Sequence, residues 1–236
     1  MNPFAGIKRL RQKALVLRAF KIMVDDPTQT ERVLALFDGK LDARPDALAF
    51  QVARAKAAPE VAERFAERYG VEVADHDVEQ LLRCPEGSLG REYALHLERM
   101  GVPANPFHRI PVDDDASYLK LRCRQTHDLV HVLLGAGIRP ADEVHVQAFV
   151  FAQTSARVGP YIFAMAYLHT LLKRPAAELI KITERLIAGY QLGQQAGPFL
   201  ALRYEERWEE PLEQVREALG LPQVPAASPE PAGSAP

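Results

Sequence analysis

Two histidines one helical turn apart, His127 and His131, with Asp128 beside the first, are the residues of this chain best suited to binding a metal. Residues four apart on an α-helix lie one above the other, so both imidazoles can reach a common point. Asp128 lies about 100° around such a helix from His127 and about 60° from His131, which keeps all three on one arc of its surface. The next segment, Gly135-Ala136-Gly137-Ile138-Arg139-Pro140, ends one helix and starts another. It predicts a helical hairpin centred near Gly137. His131 and Glu143 stand at equal distances on either side of that centre. Antiparallel helices therefore bring them face to face about one turn from the loop. Two imidazoles with one or two carboxylates suit Zn²⁺, Fe²⁺ or Mn²⁺, and two histidines plus one carboxylate leave coordination positions open, as catalytic sites do. Asp128 is read in two ways, as a fourth ligand or as an acid/base at the site. His76 lacks a second histidine at the i+4 position and reads as surface, while the isolated His145 and His169 read as structural.

The elements that must carry these residues are helices. Alanine, leucine, glutamate and arginine dominate the periodic segments, and alternating strand patterns are absent. The pattern predicts an all-α, multi-helix globular bundle with the metal site on a helical hairpin. Its helices run roughly over 5–24, 28–38, 46–57, 59–69, 77–84, 88–100, 114–135, 140–157, 160–173, 175–192 and 198–219. Pro59, Pro140, Pro160 and Pro175 stand where helices begin; Gly39, Gly70, Gly101 and Gly220 stand where they end. Asp113, Asp114 and Asp115 precede a periodic run and can cap it.

Composition bounds the rest. At 236 residues and 47% hydrophobic, the chain can bury a sizeable core as one or two domains. A net charge of −2, from 29 basic and 31 acidic residues, gives no field that would favour nucleic acid. Cys84 and Cys123 are far apart, so neither a disulfide framework nor a thiolate zinc site is expected, and a reducing compartment fits. No signal peptide or membrane-spanning run is expected. The first 24 residues hold Lys8, Arg9, Arg11, Lys13, Arg18 and Lys21 and no acid. That segment fits a helix lying on an anionic membrane, a solvated helix docked on the body, or a targeting presequence. Residues 222–236 are almost wholly Pro, Ala, Ser, Gly and Glu and read as a disordered tail.

His127-Asp128-Leu129-Val130-His131 followed after eleven further residues by Glu143 resembles the metal motif of the coenzyme Q (ubiquinone) biosynthesis protein four family. Pro85-Glu86-Gly87-Ser88-Leu89-Gly90-Arg91-Glu92-Tyr93 resembles its proline-glycine-serine/threonine-leucine-glycine segment. Tyr118 to Arg124 leads into the metal motif as in that family, and Gln153 follows the glutamate at a familiar distance. Tyr204-Glu205-Glu206-Arg207-Trp208-Glu209, with Leu212 and Arg216, resembles the family's C-terminal segment. The resemblance covers about residues 77–221 and divides the chain into an N-terminal helical segment at 1–76, a metal-binding domain at 77–221 and the tail. It implies an all-helical fold and a metal, usually zinc, held by His127, Asp128, His131 and Glu143. It implies a carboxy-lyase that removes the C1 carboxylate of a polyprenylated 4-hydroxybenzoate, coupled in many accounts to hydroxylation at that carbon. The 4-hydroxy-3-methoxy-5-polyprenylbenzoate decarboxylase type is the nearest description. Other ubiquinone-biosynthesis enzymes, a membrane surface and a second copy of the chain are the expected partners. The expected place is the inner membrane: its cytoplasmic side in a bacterial chain, its matrix side in a mitochondrial one.

The apolar run from Val144 to Leu172, with Phe149, Phe151, Phe163, Met165 and Tyr167, begins at the metal helix and could line a groove for a prenyl tail. Core packing is the simpler account of each of these residues singly. The runner-up function is a non-catalytic lipid-binding scaffold whose metal is structural. A third reading, a His-Asp phosphohydrolase, would need His108 as an upstream ligand and a late aspartate, and no aspartate follows Asp142.

Overall fold

The computed structural model describes residues 45–72, 77–101 and 111–223, together with the isolated positions Arg18, Lys21 and Ile22. The rest of the basic N-terminal segment, the expected helix 28–38, His76, His108 and the tail from 224 lie outside the described residues. Ten α-helices follow in order among the described residues: α1 Pro45–Ala55, α2 Pro59–Glu67, α3 Val78–Leu82, α4 Leu89–Met100, α5 Asp115–Gln125, α6 His127–Leu134, α7 Pro140–Thr154, α8 Val158–Lys173, α9 Ala176–Gln195 and α10 Leu212–Ala218. The fold is all-α, as the periodicity predicts.

Local chemistry accounts for the helix ends. Ser88 caps α4 by accepting from the Arg91 N–H, and Asp114 with Ser117 forms a reciprocal capping box on α5. Pro59 and Pro140 sit in first turns, where a missing N–H costs nothing. Gly135 closes α6 at φ +59°, a left-handed conformation that favours glycine.

Two expected helices differ. The run 114–135 is broken at Thr126, whose hydroxyl donates to the Arg122 carbonyl at 2.7 Å and competes with the helical ladder. The run 198–219 is mostly irregular: two single 3₁₀ turns, Phe199–Ala201 and Tyr204–Glu206, precede the short α10. Here tertiary packing overrides helix propensity. Phe199, Tyr204 and Leu212 are buried, and the Tyr204 hydroxyl donates to the Phe199 carbonyl at 2.7 Å.

The segments that share the family resemblance meet in space. Leu89 N–H donates to the Glu210 carbonyl, Gly90 N–H to that of Trp208, and Leu212 N–H to that of Gly87, each at 2.9 Å. The Tyr93 and Trp208 rings stack at 5.8 Å. The buried Arg122 of α5 pairs with Glu205 at 2.7 Å. Residues 45–72 join the same core, with Phe65 edge-on to Tyr118 at 4.7 Å and Arg54 donating to the Ala152 carbonyl at 3.0 Å.

Helix α7 is the central element. Val144, Val146, Ala148 and Phe149 are fully buried. Its partner α9 crosses it at Gly189 and Gly193, one helical turn apart. A Cβ on Gly193 would stand 2.5 Å from the Phe149 carbonyl oxygen, and one on Gly189 would strike that of His145. Gln153 locks the far end by donating to the Gly193 and Gly197 carbonyls at 3.2 and 3.0 Å and accepting from the Phe199 N–H at 3.0 Å.

This close approach predicts an inverted substitution effect. Glycine to alanine in a helix ordinarily gains up to about 1 kcal/mol from propensity. At Gly189 the methyl meets backbone, so Gly189→Ala should instead lose about 1–3 kcal/mol from overpacking. Urea unfolding measures it, and a raised midpoint would show that α7 and α9 separate readily.

Candidate metal centre

The centre is built on the hairpin of α6 and α7. The α6 end is pinned twice. Ala136 N–H donates to the His131 carbonyl at 2.9 Å, and the buried Arg216 of α10 donates to the Val132 and Leu133 carbonyls at 3.0 and 2.9 Å. The turn then returns over His131, whose Nδ1 meets the Gly137 carbonyl at 3.0 Å. A carbonyl only accepts, so Nδ1 carries the proton and Nε2 is left for the site.

Nε2 of His131 stands 3.1 Å from Glu143 Oε2, and Nε2 of His127 stands 3.4 Å from the same oxygen. These three donor atoms all lie within 4.8 Å of one another. The other carboxylate oxygen, Oε1, accepts from Gln147 one turn further along α7 at 3.0 Å. Gln147 thus orients the glutamate, as outer partners of metal ligands do. Its i+4 spacing from Glu143 was the signal in the sequence, although core glutamines share it.

Burial alone would hold His127 neutral, but the charge and hydrogen bond of Glu143, with a contribution from Asp128, outweigh it and raise the imidazole to about 9. Burial likewise disfavours the Glu143 charge, yet His127 and His131 hold its carboxyl well below the usual carboxylate range. Without a cation, the proton on His127 pairs it with Glu143.

The donor set fits a small divalent cation. Bonds of about 2.0–2.2 Å in a tetrahedral site separate neighbouring donors by about 3.3–3.6 Å, close to the two histidine–glutamate spacings of 3.1 and 3.4 Å. The structure thus brings together His127, His131 and Glu143. Asp128 is set apart from this trio: it is 7% exposed, and its charge acts on His127 and on Tyr93 of α4. His145 is tied to the Arg185 carbonyl through Nδ1 at 3.0 Å, and its burial lowers its basicity. Both cysteines are free thiols, and burial pushes Cys123 up to about 12.

Two outcomes follow. His131→Ala or Glu143→Ala should abolish stoichiometric metal binding, read by elemental analysis; full occupancy in either would sink the ligand set. Metal must also displace the His127 proton, because only neutral imidazole coordinates. The apparent association constant should therefore rise about tenfold per pH unit through the neutral range and level off near pH 9. The metal-free protein has the opposite dependence on this proton. Its gain is full below pH 6.5 and is lost as pH rises through about 9. A metal affinity flat across that range would remove the protonated pair.

The family described as coenzyme Q (ubiquinone) biosynthesis protein Coq4 matches residues 13–225. A mouse mitochondrial ubiquinone biosynthesis protein COQ4 homolog is 33% identical over 171 residues, covering 71% of this chain and 62% of that protein. The chain thus spans about three fifths of the mouse relative's length. The Coprinopsis cinerea mitochondrial COQ4 protein is 28% identical over 217 residues, covering 90% of this chain and 72% of that one. A crystal structure of a Nostoc punctiforme protein, provisionally assigned to ubiquinone biosynthesis, superposes with a TM-score of 0.73 at 28% identity, over 88% of this chain and 97% of the other. With a family match over most of its length, the chain belongs to the coenzyme Q (ubiquinone) biosynthesis protein Coq4 family.

Proposed function

We propose that this protein removes the C1 carboxylate of a polyprenylated 4-hydroxybenzoate in ubiquinone assembly, at a divalent metal held by His127, His131 and Glu143. Family membership supports the pathway. The observation that carries the catalytic reading is the number of converging donors. Three protein atoms meet and the fourth candidate, Asp128, stands apart, an arrangement that leaves room for a non-protein ligand. A bound Zn²⁺, Fe²⁺ or Mn²⁺ supplies a Lewis acid for a carboxylate or phenolate oxygen as carbon dioxide departs.

The chain's residues divide the remaining work. As the carbon–carbon bond breaks, its electron pair returns to the ring and C1 requires a proton. Asp128, buried and next in the chain to His127, is assigned as the acid/base that takes this proton from water and passes it to C1. His127 and His131 present their nitrogens, and Gln147 keeps Glu143 turned toward them. Asp128 as a fourth ligand is the other assignment. Metal content separates the two, because an acid can be lost without losing the metal.

Membrane attachment is proposed for the same reading, since the substrate's tail dissolves in lipid. No described helix is long and apolar enough to cross a membrane. Where α8 meets α9, however, Leu171, Leu172 and Ile180 are 60–66% exposed, near Lys173 and Arg174. Exposed aliphatic side chains with basic neighbours suit an interfacial contact. The expected tail groove divides: Phe149 and Met165 are core, while the half-buried Phe151 meets the half-buried Phe163 and the exposed Tyr190 with centroids 6.2 and 6.3 Å away. The same exposed face favours the scaffold reading, in which it docks other enzymes of the pathway.

Carbon dioxide release from a short-tail substrate analogue, with metal and oxygen supplied, is the direct test. Asp128→Ala should keep its metal and fold and lose about 10²–10⁴-fold in rate. Release by neither protein, with turnover restored equally to both by a partner enzyme, moves the chemistry to the partner. For the membrane, Leu171→Glu with Ile180→Glu should cut flotation with anionic vesicles. Unchanged flotation assigns attachment to another surface, the basic N-terminal segment first.

A further inference from the structure

Beside the three donors lies a fourth imidazole that belongs to no sequence motif. His96 sits on α4, the helix capped by Ser88 and fixed at its start by the Gly90–Trp208 hydrogen bond. Its ring stacks on His131 with centroids 5.3 Å apart and planes 29° from parallel. It is 3% exposed, and its Nε2 has no hydrogen-bond partner. Leaving a buried polar atom unpaired is costly, and an apolar ring of similar size would avoid the cost. The retained nitrogen therefore calls for a ligand that the protein itself does not supply.

The surroundings say where that ligand binds. The ionisable groups that act on the His96 ring are His131, Arg99, His127 and Glu143. Three of the four are the candidate metal donors, and Arg99 lies one turn further along α4 toward its exposed end. The stack on His131 sets the His96 ring directly against this donor set. A neutral imidazole would provide one N–H donor without adding a cation beside a bound metal. Its ring is not one of the atoms within metal-sharing distance of the trio.

We propose that His96 binds the non-protein ligand of the metal centre, donating a hydrogen bond from Nε2 to an anionic oxygen of a carboxylate seated on the cation. This rests on the metal reading above and adds a residue that neither the helical spacing nor the hairpin implies. It also gives α4 a direct role, because that helix delivers the hydrogen bond from outside the hairpin.

The test uses the full chain loaded with Co²⁺, whose visible absorption reports its coordination, titrated with 4-hydroxybenzoate. Wild type should show a saturable spectral change. His96→Phe, which keeps ring volume and removes both nitrogens, should weaken 4-hydroxybenzoate by about 10- to 100-fold, the range of a hydrogen bond to a charged group. Its Co²⁺ affinity should be unchanged, and its metal-free melting temperature equal or higher. His96→Leu repeats the comparison should the phenyl ring not be accommodated, and His96→Gln, which keeps an N–H donor, should recover part of the affinity. Equal 4-hydroxybenzoate binding by wild type and His96→Phe overturns the proposal. So does loss of Co²⁺ from His96→Phe, which would make His96 a metal ligand. A wild-type Co²⁺ spectrum indifferent to 4-hydroxybenzoate overturns it and leaves the metal site standing. Failure of the wild type to take up Co²⁺ overturns both.

Discussion

The candidate centre depends on one imidazole being held from both sides. His131 is nearly solvent-free, and its ring bridges the turn: Nδ1 to the Gly137 carbonyl at one end, Nε2 to Glu143 at the other. The first contact fixes the tautomer, and fixing the tautomer aims the second nitrogen. Because one side chain spans the last turn of α6 and the first of α7, the hairpin cannot open without releasing the site. Gly135 makes this geometry accessible, since its left-handed backbone lets the chain reverse immediately after His131's own turn.

The rest of the fold braces that hairpin from segments remote in the sequence. Arg216 caps the α6 carbonyls from α10, so the C-terminal helix supports the metal helix directly. Gly87 to Gly90 pairs with Trp208 to Leu212, which ties the start of α4 to the same C-terminal region. On the other side of the hairpin, α9 holds α7 through two glycines that admit no side chain. The close approach holds the backbone of α7 at His145 and Phe149, just beyond Glu143 along the same helix. A site that must keep three donors within a few ångströms needs such bracing, because a loosened hairpin would separate nitrogens from carboxylate.

Electrostatics gives the same assembly a tension. Glu143 and two imidazoles share a largely enclosed space, where an unpaired charge is costly. In the absence of a cation, a proton on His127 compensates the carboxylate. A divalent metal would replace that proton with a larger charge at nearly the same place. The protein is thus organised around a positive charge whose identity depends on conditions. His96, stacked on His131, adds a buried ring beside it.

The all-α class was legible from helix-forming composition and periodicity, and the hairpin from Gly135, Gly137 and Pro140. So was the convergence of His127, His131 and Glu143. Each of these rests on local rules: a 3.6-residue repeat, a turn that reverses direction, and equal spacing on either side of it. What the sequence could not decide lies between segments. Thr126 breaks the expected long helix through its own hydroxyl. The C-terminal run abandons helix after Pro198 because its aromatics find better burial in irregular turns. Asp128 belongs to the same motif as the histidines, yet it is not among the donors that converge. His96 carries no spacing that would mark it. Its place against His131 exists only because α4 crosses α6, and such a crossing is settled by packing across the whole core.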